Sequence, residues 1–407
     1  MGELERIQRR CNDKGWPKPK RKSPRLRGPE STWRRRRGLD IKSKLSAAAV
    51  DTTIKKGWSR LRQLLDGDRW HGFQTLAGES DVWVTSFIVT HVSDIAKDAE
   101  LRRPKSFLAT ARGASGGWSY GGAVPPDADS TAWCLKALDG SLSHDDRNEA
   151  ETFLWSHRVQ DGIATYTDDS GIREYIQAGD LSIEGWTSEH PDVTAAAIFS
   201  DPNYTDRDTI LSALIDQQNG SGFYDAYWWR GPHYTTSMVL RAAGACEVRI
   251  PAKNAKLLLR GLTREQLEDG GYGLGSSMTL DPLTTAFALE SFSFLSYLGA
   301  AKERERAARA LLEAQRDDGG WDGDYVMRIP SPGVVHPEHV DGWTRGTGGG
   351  NSFVLDKDGL FATAASCAAL DRWRRVENGE LDPGRWPILR IRRKASGLPA
   401  EVNVKVA

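Results

Sequence analysis

Thr285-Ala-Phe-Ala-Leu-Glu-Ser-Phe292 opens on a threonine and then stays apolar nearly all round a helix. A helix with no polar face must be walled in by neighbours. Five further threonines followed by Ala or Ser open similar runs: Thr85-Ser86, Thr131-Ala132, Thr194-Ala195, Thr236-Ser237 and Thr363-Ala364. Threonine suits the first turn of a helix because its hydroxyl can satisfy an orphan amide. The six dipeptides recur at intervals of about 42 to about 78 residues, room for two helices and a loop per unit. Six helical hairpins in one chain predict an all-α fold, a closed double ring of helices.

The segments between the threonines supply the second helix of each unit. Outer helices are expected near 44–66, 97–111, 143–159, 205–218, 252–268 and 301–315. Most stop at Gly-rich turns capped by an aromatic, as in Gly116-Gly-Trp118, Gly222-Phe-Tyr224, Gly270-Gly-Tyr272 and Gly319-Gly-Trp321. Glycine there supplies the positive φ of a helix C-cap. The connection from Trp321 to Thr363 is unusually long and holds Arg345-Gly-Thr-Gly-Gly-Gly350. A loop of that length in a compact domain is expected to be a lid, a binding loop or disordered, its Gly run a hinge or a phosphate cradle.

The 407 residues balance 55 Lys/Arg against 55 Asp/Glu, yet the charge is unevenly placed. Residues 1–45 carry 16 Lys/Arg and 5 Asp/Glu, a balance of +11 that leaves −11 for the remainder. With almost no apolar periodicity, this segment is expected to be a disordered basic arm. Contact with nucleic acid or an acidic membrane surface is its natural use, and a translation start placed too far upstream explains it equally well. Domains are accordingly expected at 1–45 (arm), 46–376 (helical ring) and 377–407 (tail). No stretch is long and apolar enough to span a membrane. The dispersed Cys11, Cys134, Cys246 and Cys367 point to free thiols in a reducing cytoplasm. Fifteen Trp, many of them in turns, suggest an aromatic cavity at one end of the ring.

Gln315-Arg-Asp-Asp-Gly-Gly-Trp321 and Gln266-Leu-Glu-Asp-Gly-Gly-Tyr272 resemble the QW repeat of squalene–hopene cyclases and related proteins. The resemblance covers roughly residues 50–375 and implies an (α/α)6 barrel, in agreement with the hairpin count. Protein prenyltransferases share the repeat but hold zinc through an Asp two residues before a Cys. Here Ala132, Gly244 and Ala365 occupy those positions, so no metal and no other cofactor is expected.

Class II terpene cyclases carry Asp-x-Asp-Asp-Thr-Ala at the start of an inner helix. Asp127-Ala-Asp129-Ser130-Thr131-Ala132 is similar, with Ser130 where the family has a second adjacent carboxylate. The resemblance makes Asp129 the Brønsted acid and Asp127 its flanking carboxylate. Protonating an alkene requires a carboxylic acid kept neutral in a dry cavity; burial and like charge achieve this. An Asp just before such a threonine is also a natural N-cap, the reading preferred for Asp81 and Asp281. Two residues before each threonine stand Trp83, Asp129, Asp192, Tyr234, Leu283 and Phe361. Trp118, Tyr120, Trp186, Asp192, Tyr224, Trp228, Trp229, His233 and Trp321 are expected to bind substrate, with His190 nearby. Asp317, Asp318, Asp322 and Asp324 are expected to be structural.

The chain is thus expected to be a cyclase or isomerase that protonates a lipophilic, prenyl-type small molecule and guides the carbocation among aromatic faces. A partner subunit completing the cavity and peripheral membrane contact accompany that reading. A non-catalytic lipid- or peptide-binding barrel and a glycan-processing enzyme on a similar toroid remain alternatives.

Overall fold

Each of the six threonines stands fourth in its helix, three residues later than the sequence places it. In the computed structural model the inner helices are α2 (Val82–Val92), α4 (Ala128–Ala137), α8 (Pro191–Ser200), α10 (His233–Ala245), α12 (Pro282–Phe294) and α14 (Leu360–Glu377). The outer helices are α1 (Ala47–Gln63), α3 (Asp98–Thr110), α5 (His144–Ser156), α9 (Arg207–Asp216), α11 (Ala252–Glu265) and α13 (Ala301–Ala314). Two single-turn helices, α6 (Ile172–Tyr175) and α7 (Glu184–Thr187), fill the long third connection. The structure describes residues 45–168, 170–346 and 349–389. The basic arm with Cys11, the tail from 390 onward and part of the Gly run at 345–350 lie outside the described residues.

Burial separates the two layers. All thirteen residues of α12 and ten of the eleven in α2 are buried, whereas only four of the fourteen in α11 are. The inner helices pack α2 on α4, α4 on α8, α8 on α10, α10 on α12, α12 on α14, and α14 back on α2. The result is an α-helical toroid whose wall is one continuous apolar core.

The threonine hydroxyls do not cap their own helices. Each accepts a backbone N–H from the preceding turn: Trp70 to Thr85, Trp118 to Thr131, Ile163 to Thr194, Tyr224 to Thr236, Tyr272 to Thr285 and Trp321 to Thr363. All six distances fall between 2.9 and 3.1 Å. The earlier helix starts arise because Asp81, Asp127 and Asp281 cap α2, α4 and α12 through their carboxylates.

A second contact ties three of the turns to the next outer helix. Gln218, Gln266 and Gln315 donate through Nε2 to Gly222 O, Gly270 O and Gly319 O. The same amides also donate to Asn254 O, Glu303 O and Thr53 O respectively. Thr53 belongs to α1, so Gln315 joins the last turn to the first helix. Gly319 adopts φ +90°, and a Cβ there would lie 2.6 Å from Lys56 O. Only glycine permits this approach, which seats the last turn on the first helix.

The all-α expectation needs one correction. Residues between Trp321 and Thr363 build a three-stranded sheet from β5 (Tyr325–Ile329), β6 (Thr344–Arg345) and β7 (Ser352–Leu355). β7 lies in the middle, antiparallel to β5 and parallel to β6. β5 also pairs with the turn before α10, where Arg230 N donates to Val326 O and Arg328 N to Trp228 O, both at 2.8 Å. The expected lid is therefore folded down onto the ring. Two-stranded pairs β1 (Gln74–Thr75) with β2 (Gly78–Glu79) and β3 (Arg158–Val159) with β4 (Gly162–Ile163) line the same end. Cys134, Cys246 and Cys367 are buried free thiols. No helix among the described residues is long and apolar enough to cross a membrane.

Thr363→Val keeps the side-chain shape but strands the buried Trp321 N–H. It should lower unfolding free energy by about 1–3 kcal/mol. Thr363→Ser, which retains the hydroxyl, should lose less, as measured by chemical denaturation.

Candidate active site

At one end of the ring the first turns of the inner helices converge, and Trp83, Asp129, Asp192, Tyr234 and Phe361, each two residues before its threonine, come together there. Asp127 caps α4: its Oδ1 accepts the Ser130 amide and its Oδ2 accepts the Ser130 hydroxyl, both at 2.7 Å. Ser130, in the position of the missing second carboxylate, thus holds Asp127 rather than the acid. Asp129 follows in the first helical turn. Its Oδ2 accepts the Trp83 indole N–H at 2.7 Å. Its Oδ1 is buried and meets no hydrogen-bond partner. Asp192, at the same position of α8, is 2 % exposed, and its Oδ2 accepts the Tyr227 and Trp228 amides at 3.1 and 2.9 Å.

Three carboxylates in one apolar end, Asp127 and Asp192 buried and Asp129 half-buried, cannot all stay ionised. Burial raises Asp129 well above the usual carboxylate range, and repulsion from Asp127 and Asp192 adds to it; the Trp83 hydrogen bond opposes. Burial pushes Asp127 up to about 7 against the stabilising Ser130 bonds. Burial also raises Asp192, opposed by its two amides and by Arg328. The arrangement favours the neutral carboxylic acid at Asp129, with one oxygen hydrogen-bonded and the other without a partner.

An aromatic shell surrounds that acid. Trp83 lies 5.5 Å from Phe361 edge-on, 5.9 Å from Trp133 and 5.2 Å from Phe87 in a stack. Trp229 stacks on Tyr234 at 3.9 Å, and Tyr234 meets Phe287 edge-on at 5.4 Å. Of the expected site residues only Trp229 belongs to this shell. Trp83, Tyr234 and Phe361 stand two before their threonines, and Phe87, Trp133 and Phe287 two after. That same register, rather than the turn aromatics, was the signal that finds the shell.

The remaining expected residues sit elsewhere. Trp118 and Trp321 turn their indoles outward to Leu108 O and Leu311 O of the outer helices, at 2.7 and 2.8 Å. Tyr224 is fully buried in the matching turn. The two indoles pack between the layers because the outer helix leaves a carbonyl for each to meet, whereas the buried Tyr224 hydroxyl meets no hydrogen-bond partner among the described residues. His233 lies between Phe223 and Tyr272, 3.8 Å from Glu265, and burial takes it down to about 4. It belongs to the turn packing between units four and five.

Tyr120 flanks the acid end: its hydroxyl meets Thr75 Oγ1 at 2.9 Å and burial pushes it up to about 12. Trp186 and Trp228 are half-buried beneath the folded-down segment. Trp186 Nε1 donates to Pro330 O, and Trp228 Nε1 donates to Thr165 Oγ1. His190 Nε2 meets Gly185 O at 2.7 Å, so it carries the proton, and Nδ1 accepts from the Thr165 hydroxyl. Burial lowers His190 to about 3, keeping it neutral. Asp318 and Asp322 are both held by Arg316.

No described protein family's sequence profile matches the chain. A drimenyl diphosphate synthase of Streptomyces showdoensis is 27% identical over 241 residues, 55% of this chain and 42% of that protein. The chain therefore spans less than half of that relative's length. Among solved structures, the type II terpene cyclase MstE from Scytonema superposes with a TM-score of 0.73 at 23% identity, covering 82% of this chain and 99% of MstE. MstE variants have been solved with geranylgeranyl dihydroxybenzoate, the substrate, and with merosterolic acid A, the product. A protein from Actinoplanes superposes with a TM-score of 0.73 at 24% identity, over 80% of this chain and 99% of that one. The toroid of this chain is the fold of type II terpene cyclases.

The carboxylates at the acid end also set a pH dependence. Asp127 is raised from the usual carboxylate value of about 4 to about 7 in the fold. Folded protein therefore binds more protons than unfolded chain in that window, and stability falls as pH rises through it, by up to about 1.4 kcal/mol per pH unit. Asp127→Asn should remove this slope. Its stability relative to wild type should rise between pH 5 and 7 and level off above, in denaturation measured across that range.

Proposed function

We propose that this chain is a protonation-initiated, class II terpene cyclase in which Asp129 is the acid and a prenyl chain is the substrate. The barrel we infer is a single one of six hairpins, and the match to nearly the whole of MstE supports the sufficiency of one barrel. The free, buried Oδ1 of Asp129, facing an aromatic shell, is the observation that carries this reading.

The chemistry follows from the two carboxyl oxygens. Trp83 donates to Oδ2, which fixes Oδ2 as the carbonyl oxygen and leaves the proton on Oδ1. The Oδ1–H bond breaks as a C–H bond forms at one alkene carbon, leaving a carboxylate and a carbocation. The Trp83 N–H then stabilises the developing negative charge. Carbocation and carboxylate remain paired in a dry enclosure, and the ring faces of Trp133, Trp229, Tyr234 and Phe361 each stabilise positive charge by on the order of 1 kcal/mol. Neighbouring alkenes close rings onto the cation. Loss of a proton to a base ends the sequence, so product and substrate are isomers. Trp83 is a positioning residue in this scheme, serving where the family uses a second carboxylate.

Wild type incubated with linear prenyl diphosphates, squalene and prenylated aromatics should give a cyclic product of unchanged mass from at least one. Asp129→Asn should abolish it, because an amide has no comparable proton to give. Trp83→Phe should lower kcat by about tenfold or more with little change in KM, the mark of an interaction that strengthens in the transition state. Full turnover by Asp129→Asn would contradict the assignment.

A further inference from the structure

Trp229 is the one ring of the aromatic shell that no inner helix carries. It stands in the turn before α10, yet it is 3 % exposed and reaches the middle of the ring. Its indole stacks on Tyr234 of α10 and lies 6.0 Å from Trp83 and 6.5 Å from Phe87, both of α2. Phe287 of α12 and Phe361 of α14 follow at 6.0 and 6.2 Å. These are the centroid separations of rings in contact. The neighbours belong to two levels, Trp83, Tyr234 and Phe361 two residues before their threonines and Phe87 and Phe287 two after. The indole therefore bridges the level of the acid and the next one, roughly 6 Å deeper along the helices.

The helices that supply those neighbours, α10, α12, α14 and α2, are consecutive in the ring. The other two, α4 and α8, carry Asp129 and Asp192 at the first level and Trp133 and Ala196 at the second. Trp229 thus fills the side of the lumen facing away from the acid. Asp129 is half-buried where Asp127 and Asp192 are buried, so accessible space lies beside it. Ala196 widens that space, since α2, α4, α10 and α12 place Phe87, Trp133, Met238 and Phe287 at the same register.

The backbone that presents the indole is fixed from two sides. Asp192 Oδ2 accepts the Tyr227 and Trp228 amides, while Arg230 N and Arg328 N pair the turn with β5. The Arg328 guanidinium donates to Tyr227 O and Ala226 O and is attracted to Asp192. None of these bonds uses the Trp229 side chain. Ring contacts alone hold the indole, because no described residue accepts its N–H. Truncation therefore leaves the mount intact and strands no polar partner. Trp229→Ala also removes more non-hydrogen atoms than one isoprene unit contains, so the lumen gains room for a further unit.

We propose that Trp229 is the specificity-determining residue of the lumen, its indole limiting the length of the prenyl chain that fits against Asp129. The prenyl chain itself rests on the cyclase reading; the proposal adds the residue that sets its length. A chain with its far alkene at Asp129 runs along α4 and α8, past Trp133 and Ala196. Each additional isoprene unit has to fit in the space that the indole leaves.

Equilibrium binding of prenyl alcohols to the full chain, from geraniol upward until affinity falls, tests the limit. Wild type should show an optimum length and bind the next longer alcohol about tenfold or more weakly. Trp229→Ala should move the optimum to that longer chain, and the milder Trp229→Phe should narrow the gap in the same direction. Phe287→Ala, which removes a ring behind the indole, should move it less than Trp229→Ala. Equal affinity for every length in wild type, no binding at all, or an optimum and gap unmoved by either Trp229 variant would overturn the proposal. So would a shift in Phe287→Ala as large as that in Trp229→Ala. A length limit that moves with Trp229, without cyclic product from any chain, would sink only the cyclase reading. Cyclic product with a length limit indifferent to Trp229 would sink only the role of Trp229.

Discussion

A threonine hydroxyl accepting one backbone N–H from the turn before it is the contact on which the rest of the ring depends. Repeated in all six units, it fixes where each inner helix sits relative to its turn. Once that is fixed, the residues two before five of the six threonines come together from different units. Trp83, Asp129, Asp192, Tyr234 and Phe361 become one constellation although they span almost the whole described chain. In three of the six units a glutamine amide then ties the turn to the following outer helix, and Gln315 closes the circle on Thr53. Shape and constellation therefore share a cause: the same turn that closes the wall sets the place of Asp129.

Within that constellation the decisive balance is between burial and hydrogen bonding. Asp127 and Asp192 each accept two strong hydrogen bonds, so they keep structural duties as a helix cap and a loop anchor. Asp129 accepts only one. Its second oxygen faces apolar surroundings and two like charges, which favours the neutral acid. The unequal partner sets explain why three carboxylates in one place take different roles.

The ring of helices was legible because the threonine-led runs are apolar on every side, a pattern with no other stable home. Asp127 and Asp129 were legible from their place before Thr131. The turn tryptophans misled: composition reveals that Trp118 and Trp321 are unusual but not that their N–H groups point to outer-helix carbonyls. Threonine misled more subtly, since a hydroxyl near a helix start reads as a cap when its real partner lies between 12 and 42 residues upstream. The sheet of β5, β6 and β7 left no clear mark, because its short strands draw their order from pairing with the turn at Trp228–Arg230. Trp83 as the partner of Asp129 could not be read at all without knowing that α2 and α4 are neighbours.

Proton donation to carbon is the central claim, and isotope incorporation tests it most directly. Wild type equilibrated in deuterium oxide and given an unlabelled substrate that it cyclises should yield product one mass unit heavier. The label should sit on the carbon that received the first proton, since Asp129 exchanges with solvent and a ring-closing isomerisation returns a different hydrogen. Cyclic product carrying no deuterium, with the acid exchanged beforehand, would contradict protonation by Asp129 and require the carbocation to arise by loss of a leaving group.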